Sequence, residues 1–280
     1  MKKIIRYGSL LILAFFIFSF ANFFILVRPF RLEIPTRPED VDLDFEEVSL
    51  TTEDNKELSA LYFDSDSESA IILLHGYPSN KKDLLHTATN FTPHFSVLLF
   101  DFRYFGESEG HFTTLGAKEI FDVAAAVDFL KDEGYERIGL FGYSLGGATA
   151  LRAAAVDDRI DAVVTLGAFA DMKLLADEFY SYMGPFRNSL FVLMDGWSRI
   201  FFGQSVNTLS PAKSIDQVEA PMLLGHAVED RVVSFEHAEI LSEIISEEDR
   251  NDFYFFEEGG HEMIPTSFIQ RATIFFQNNL

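Results

Sequence analysis

The sequence predicts a doubly wound α/β domain, built on a mostly parallel sheet and preceded by one long apolar helix. Two observations predict the domain. Runs rich in branched and aromatic apolar residues, at 70–74, 97–102, 137–141, 162–166, 222–226 and 252–256, alternate with helical segments at 84–90, 118–132, 147–155, 235–245 and 268–278. These strand runs are continuously apolar rather than alternating, the pattern of a sheet covered on both faces by helices. A third observation predicts the helix in front: YGSLLILAFFIFSFANFFILV, residues 7–27, holds no charged side chain.

As a helix, residues 7–27 span about 31 Å, close to the hydrocarbon thickness of a bilayer. A cleaved signal peptide would end near Ser19-Phe20-Ala21, but the apolar run continues beyond it and stops only at Arg28-Pro29, so an uncleaved transmembrane anchor over 1–28 is expected. The lack of a polar face argues against a buried core helix. Lys2, Lys3 and Arg6 precede the run, whereas Glu33, Glu39 and Asp40 accompany Arg28, Arg31 and Arg37 behind it. This balance favours a cytoplasmic N-terminus and an extracytoplasmic domain. Residues 29–44, with Pro29, Pro35 and Pro38, read as an extended linker. The domain then occupies 45–280 and opens on a strand pair at 48–52 and 57–63, turned through Asp54-Asn55.

Composition excludes several function classes. With 48% hydrophobic residues and 31 Phe in 280 positions, the chain buries a large core and is not disordered. It has no cysteine, which removes disulfides, thiol nucleophiles and thiolate-bound zinc. The net charge of −22 concentrates beyond Arg28, where 18 basic residues face 44 acidic ones. That excess argues against a nucleic-acid partner. It should also repel anionic headgroups, leaving the helix rather than the domain surface to hold the bilayer.

Gly142-Tyr143-Ser144-Leu145-Gly146 matches GxSxG, the strand-to-helix turn that lifts a serine hydroxyl above a sheet. Gly106-Glu107-Ser108-Glu109-Gly110 matches it too, so context must decide. Ser144 follows a strand run and precedes Gly147-Ala148-Thr149-Ala150, whose small side chains let a helix approach and put its N-terminal amides near the hydroxyl. Ser108 lies between two glutamates that would oppose an oxyanion, and reads as a structural loop. The serine needs a base, and the base an acid to orient it. Downstream of Ser144, His261 falls directly after the last strand behind Gly259-Gly260, while His226 ends a strand and His237 lies in a helical run. For the acid, Asp230 sits in the loop after the penultimate strand; Asp171 and Glu229 are the alternatives. The oxyanion hole calls for the amide of Leu145 and one from the loop His75-Gly76-Tyr77-Pro78-Ser79-Asn80, where Gly76 would turn the amide of Tyr77 toward the serine. His75 reads as a buried histidine that shapes this loop.

HGYPSN at 75–80, DFRYFGESEG at 101–110, GYSLGG at 142–147, SPAKSIDQVEAP at 210–221 and EEGGHE at 257–262, in this order, resemble the α/β-hydrolase family. More narrowly, they resemble its serine aminopeptidase and monoacylglycerol-lipase-like branch, which includes Bem46-type membrane-anchored hydrolases. The resemblance covers 45–280. It implies Ser144, Asp230 and His261 as the triad, the amides of Tyr77 and Leu145 as oxyanion donors, and neither metal nor organic cofactor. Two departures stand out. Tyr104-Phe105-Gly106 replaces a glycine-rich turn, and His226 stands where relatives commonly place glycine, so its side chain would crowd or tune the acid loop.

Residues 171–210 interrupt the β/α rhythm and carry Phe179, Tyr180, Tyr182, Phe186, Phe191, Trp197, Phe201 and Phe202. They suggest a cap over an acyl pocket, with plain helix packing as the alternative. The expected function is a membrane-tethered serine hydrolase acting on a small acyl substrate with an apolar part. A peptidase using the same triad, and a non-catalytic binding module, are the other readings.

Overall fold

The computed structural model describes residues 2–41, 43–245, 250–257 and 259–280; Asp42 of the linker and Glu258 of the EEGGHE segment lie outside them. Among the described residues, eight strands form one sheet: β1 (Glu46–Thr51), β2 (Glu57–Phe63), β3 (Ser69–Leu74), β4 (Ser96–Phe100), β5 (Arg137–Tyr143), β6 (Ala162–Leu166), β7 (Met222–Ala227) and β8 (Asp252–Phe256). Their spatial order is β1-β2-β4-β3-β5-β6-β7-β8. β1 and β2 pair antiparallel, as do β2 and β4, and every later pairing is parallel. This is the doubly wound, mostly parallel α/β sheet that the alternation of apolar strands and helices predicts.

The pleat sends alternate residues to opposite faces. Ile72, Leu74 and Leu98 pack on one side with Val123, Ala126 and Leu130 of α3 (Glu119–Asp132), Leu151 of α4 (Leu145–Ala154) and Leu241 of α7 (Phe235–Ile245). Ile71, Leu73 and Leu99 pack on the other with Leu85 and Phe91 of α2 (Leu85–Phe91) and Phe268 and Phe276 of α8 (Thr266–Asn279). The run at 252–256 departs from the expectation of a strand covered on both faces. β8 is the sheet's edge, with only β7 beside it, and Phe255 is exposed.

The second GxSxG is a structural loop that buries Ser108 between two exposed glutamates. Asp101, at the end of β4, accepts from the amides of Lys81 (2.7 Å) and Glu107 (2.8 Å) and pairs with the Lys81 ammonium at 2.7 Å. Ser108 Oγ donates to the Asp101 carbonyl at 2.6 Å and accepts from the Ser59 amide at 2.9 Å, so its hydroxyl is consumed in structure. Gly106 has φ +48°, and a Cβ there would overlap the Asp101 carboxylate. Both features demand glycine.

Between β6 and β7, in the segment where a cap is expected, lie α5 (Met172–Phe179) and α6 (Arg187–Phe202). The apolar N-terminal segment is a single helix, α1 (Lys2–Val27), long and apolar enough to cross a membrane. Its first half exposes Ile4, Ile5, Leu11 and Ile12, but its second half packs on α6, with Phe16 and Phe20 centred 4.8 and 5.0 Å from Trp197. Residues 29–37 run across the domain, held by Tyr104 Oη donating to the Pro29 carbonyl (2.6 Å) and Asn80 Nδ2 donating to the Leu32 carbonyl (2.9 Å).

Gly106→Ala is expected to destabilise the domain by about 1–3 kcal/mol, since the new methyl meets a carboxylate that is already fully bonded. Thermal unfolding of the variant beside the parent checks this; an unchanged melting temperature contradicts the crowding argument.

Candidate active site

Three loops at the carboxyl ends of parallel strands meet above β5, the place where open α/β sheets bind ligands. Ser144 ends the β5 turn with φ 53° and ψ −115°, a conformation L-residues rarely adopt. The turn can be this sharp because its glycines allow close contact. A Cβ on Gly142 would lie 2.5 Å from the Gly146 carbonyl oxygen, and one on Gly146 would overlap the Leu74 carbonyl of β3. The Ser144 amide donates to Leu166 of β6 at 2.9 Å, and its carbonyl accepts the first helical bond of α4 from Ala148 at 3.0 Å. Its side chain makes no cap bond to the helix. The hydroxyl is therefore free to face the site.

His261 supplies the partner. Its Nε2 lies 3.0 Å from Ser144 Oγ and its Nδ1 2.6 Å from Asp230 Oδ2. An ionised carboxylate only accepts, so Nδ1 carries the proton and Nε2 turns its lone pair to the hydroxyl. Tyr143 Oη donates to the His261 carbonyl and its ring lies beside the imidazole, with centroids 5.4 Å apart. Gly167, just beyond β6 with φ +64°, leaves the imidazole room, since a Cβ there would stand 3.2 Å from His261 Cε1.

Asp230 is buried in the loop after β7. Its Oδ1 accepts from the amides of Val232 (2.8 Å) and Val233 (2.9 Å), leaving Oδ2 for His261. Burial alone would raise its pKa, but the bonds from His261 and the two amides outweigh it and hold the carboxyl below the usual carboxylate range. His226, buried next to this loop, has Nε2 donating to the Val233 carbonyl at 2.9 Å and lies 3.6 Å from Asp230 Oδ2. Rather than crowding the acid loop, it fastens the residue whose amide orients Asp230. Burial pushes its own pKa down, so it donates as a neutral ring.

The alternatives are occupied elsewhere. Asp171 caps α5, accepting from the amides of Lys173 (2.8 Å) and Leu174 (2.9 Å) and from Ser210 Oγ. Glu229 is exposed. His237 accepts the Ala170 amide at 3.0 Å beneath α5. His75 is fully buried, its Nδ1 donating to the Gly76 carbonyl and its Nε2 accepting the Phe102 amide at 3.0 Å, so it fixes the loop after β3 as a structural element. Gly76 serves that loop through close approach, not through an unusual φ. A Cβ there would stand 3.0 Å from Tyr143 Cδ1 and 3.3 Å from Ser144 Cβ. Tyr77 and Leu145, the residues whose amides were expected to face the oxyanion, both line the cavity beside Ser144.

That cavity, of about 210 Å³, is bounded by Ser144 and His261 at one end and by apolar side chains elsewhere. Of the eight cap aromatics, Phe179, Tyr180 and Phe191 line it. Trp197, Phe201 and Phe202 do not; their rings pack on Phe16, Phe20 and Phe23 of α1, because an exposed apolar helix lies on that flank. Sequence reasoning missed Leu115, held in a loop whose polar groups converge on the buried carboxylate of Glu119, and Phe23 and Leu26 of α1. No local pattern marks an apolar residue as part of a pocket wall.

Residues 69–189 match the alpha/beta hydrolase fold family. The Pyrococcus furiosus esterase Pf2001 superposes with a TM-score of 0.76 at 26% identity, over 91% of this chain and 98% of that one. The thiohydrolase aneE of Aspergillus aculeatus is 35% identical over 130 residues, 44% of this chain and 41% of the relative. A 31.7 kDa Escherichia coli protein from the traX-finO intergenic region is 38% identical over 111 residues, 38% of this chain and 39% of that protein. The chain thus spans about two fifths of the length of these curated relatives, and nearly the whole of the esterase.

The depressed pKa of Asp230 has a signed consequence. A carboxyl whose folded pKa lies below its unfolded value of about 3.9 contributes stability that is complete above that value and is lost as pH falls through the folded one. The stability difference between the parent and Asp230→Asn is expected to be constant near neutrality and to shrink below about pH 4. Denaturant unfolding at a series of pH values checks this, and a difference that grows on acidification contradicts it. With its sheet order, its strand-end loops, the family match over 69–189 and an esterase neighbour along 91% of its length, the chain has the alpha/beta hydrolase fold.

Proposed function

We propose that the chain is a membrane-anchored serine hydrolase that cleaves an ester or related acyl bond through an acyl-enzyme. One observation carries the reading: the unbroken line from Ser144 Oγ to His261 Nε2 (3.0 Å) and from His261 Nδ1 to Asp230 Oδ2 (2.6 Å), opening on an apolar cavity. Ser144 Oγ attacks the substrate carbonyl as its proton passes to His261 Nε2, and Asp230 stabilises the imidazolium. The amides of Tyr77 and Leu145, the latter at the N-terminus of α4, meet the negative oxygen. Collapse breaks the acyl bond, and the leaving group takes the proton from His261. Water then gives a proton to His261 and attacks the acyl carbonyl. The acid departs, and the proton returns to Ser144.

The names of the esterase and thiohydrolase relatives support ester or thioester chemistry. The aminopeptidase reading uses the same three side chains. It is disfavoured by the cavity, where no carboxylate appears among the described lining residues, although a free amino terminus would need one. Motif order, together with the apolar helix α1, supports placement among Bem46-type enzymes, and the basic residues before α1 with the acids behind it support a domain outside the cytoplasm.

Labelling with a fluorophosphonate probe is expected in the parent and absent in Ser144→Ala. Removing the Ser144 hydroxyl or the His261 imidazole should lower kcat on p-nitrophenyl esters by at least about ten-thousandfold. Persistent labelling of Ser144→Ala, or none in the folded parent, would refute the hydrolase and leave the binding-module reading.

A further inference from the structure

We propose that α1 is part of the substrate site: Phe23 and Leu26 form the wall along which the substrate's acyl chain lies, so the helix that anchors the protein also selects acyl length. The proposal rests on the serine hydrolase reading above.

The cavity at Ser144 is walled by three layers. Leu145 and Phe169 come from the domain, Phe191 and Met194 from α6, and Phe23 and Leu26 from α1. Phe23 is 1% exposed and Val27 1%, while Ile25, turned the other way on the same helical turn, is 68% exposed. Ser19, Phe23, Leu26 and Val27 follow the spacing of one helical face, and that face is the one turned to the protein. Phe23 rests tilted against its neighbours, its centroid 5.6 Å from Phe201 and 5.5 Å from Phe202.

This arrangement is fastened rather than incidental. The last carbonyls of a helix lack partners within it and must find them elsewhere. Tyr77 Oη donates to the Leu26 carbonyl at 2.9 Å, and the Thr113 amide donates to the Val27 carbonyl at 2.9 Å. Higher on the helix, Trp197 Nε1 donates to Ser19 Oγ at 3.2 Å, the one polar group α1 buries against the cap. The final turn of α1 is therefore held in register with the loop after β3, whose Tyr77 also lines the cavity. A flexible tether would show none of these bonds.

The remainder of α1, from Ile4 to Leu13, presents apolar side chains outward, as a segment in hydrocarbon does. A substrate whose acyl chain lies against Phe23 and Leu26 touches the same helix that enters the lipid. The chemical class this fits is an amphiphilic acyl ester, with its carbonyl at Ser144 and its chain directed along α1.

The test uses the full chain in lipid nanodiscs and a series of p-nitrophenyl esters from acetyl to palmitoyl. For each variant the readout is kcat/KM on the longest ester the parent accepts, divided by that variant's own value on the acetyl ester. Phe23→Trp and Leu26→Trp fill the wall and are expected to lower this ratio by about tenfold, the scale set by one or two methylenes that no longer fit. Phe23→Ala enlarges the wall and is expected to shift the optimum toward longer chains. Phe24→Trp, on the exposed side of the helix, should keep the parent ratio. Circular-dichroism melting identifies the folded variants, and either tryptophan variant suffices. A parent ratio in a folded Phe23→Trp or Leu26→Trp overturns the proposal while leaving the hydrolase intact. Absence of Ser144-dependent hydrolysis in the parent overturns the hydrolase reading, and the proposal with it.

Discussion

The close crossing of β5, α4 and the end of β3 is the constraint on which the rest of this molecule depends. Three backbones meet where Gly142 faces the Gly146 carbonyl and Gly146 faces that of Leu74, at separations no side chain could enter. This packing holds Ser144 in its left-handed conformation, a state that costs of order 1–3 kcal/mol and persists only where surrounding structure over-determines it. The strain has a use. A relaxed serine at a helix start would cap the first free amides, as Asp171 does for α5. Ser144 cannot, and its hydroxyl turns outward to His261 instead.

From that fixed point the partners are set by sheet order. β6, β7 and β8 lie successively beyond β5, so the loops after β7 and β8 come round to the same edge. Asp230 is oriented by the two amides of its own loop, and that loop is tied down by His226 through the Val233 carbonyl. The histidine at 226 thus takes over a task that a glycine could not perform. It adds one neutral, buried donor behind a carboxylate that must stay charged, and it does so without taking the oxygen that His261 needs.

How much of this was legible in the sequence follows from the range of each signal. Strand runs such as 162–166 and 222–226 reproduce β6 and all but the last residue of β7 because a buried strand is a local pattern of apolar residues. The convergence of Ser144, Asp230 and His261 was readable because each follows a strand and parallel topology sends such loops to one edge. A further constraint on Gly76, its close approach to Tyr143, was not legible, since it depends on a neighbouring strand that the local sequence does not show. The division of the cap aromatics was equally hidden. Phe191 and Trp197 are both aromatic residues on one helix, and only the position of α1 decides that one faces the cavity and the other α1 itself.

The same limit applies to α1 itself, and it changes how the chain's charge is understood. Sequence alone divides the protein into a greasy helix and an acidic domain that anionic lipid repels. The structure gives these parts a common interface, in which α6 covers the inner face of α1 and the cap carries few of the acids: Asp171, Asp177, Glu178 and Asp195 against Lys173, Arg187 and Arg199. Forty of the 44 acidic residues therefore lie outside the segment 171–210 that meets α1. If α1 enters a bilayer as proposed above, repulsion from an anionic surface would act together with that insertion, turning the acidic body outward and bringing the nearly neutral segment 171–210 toward the lipid.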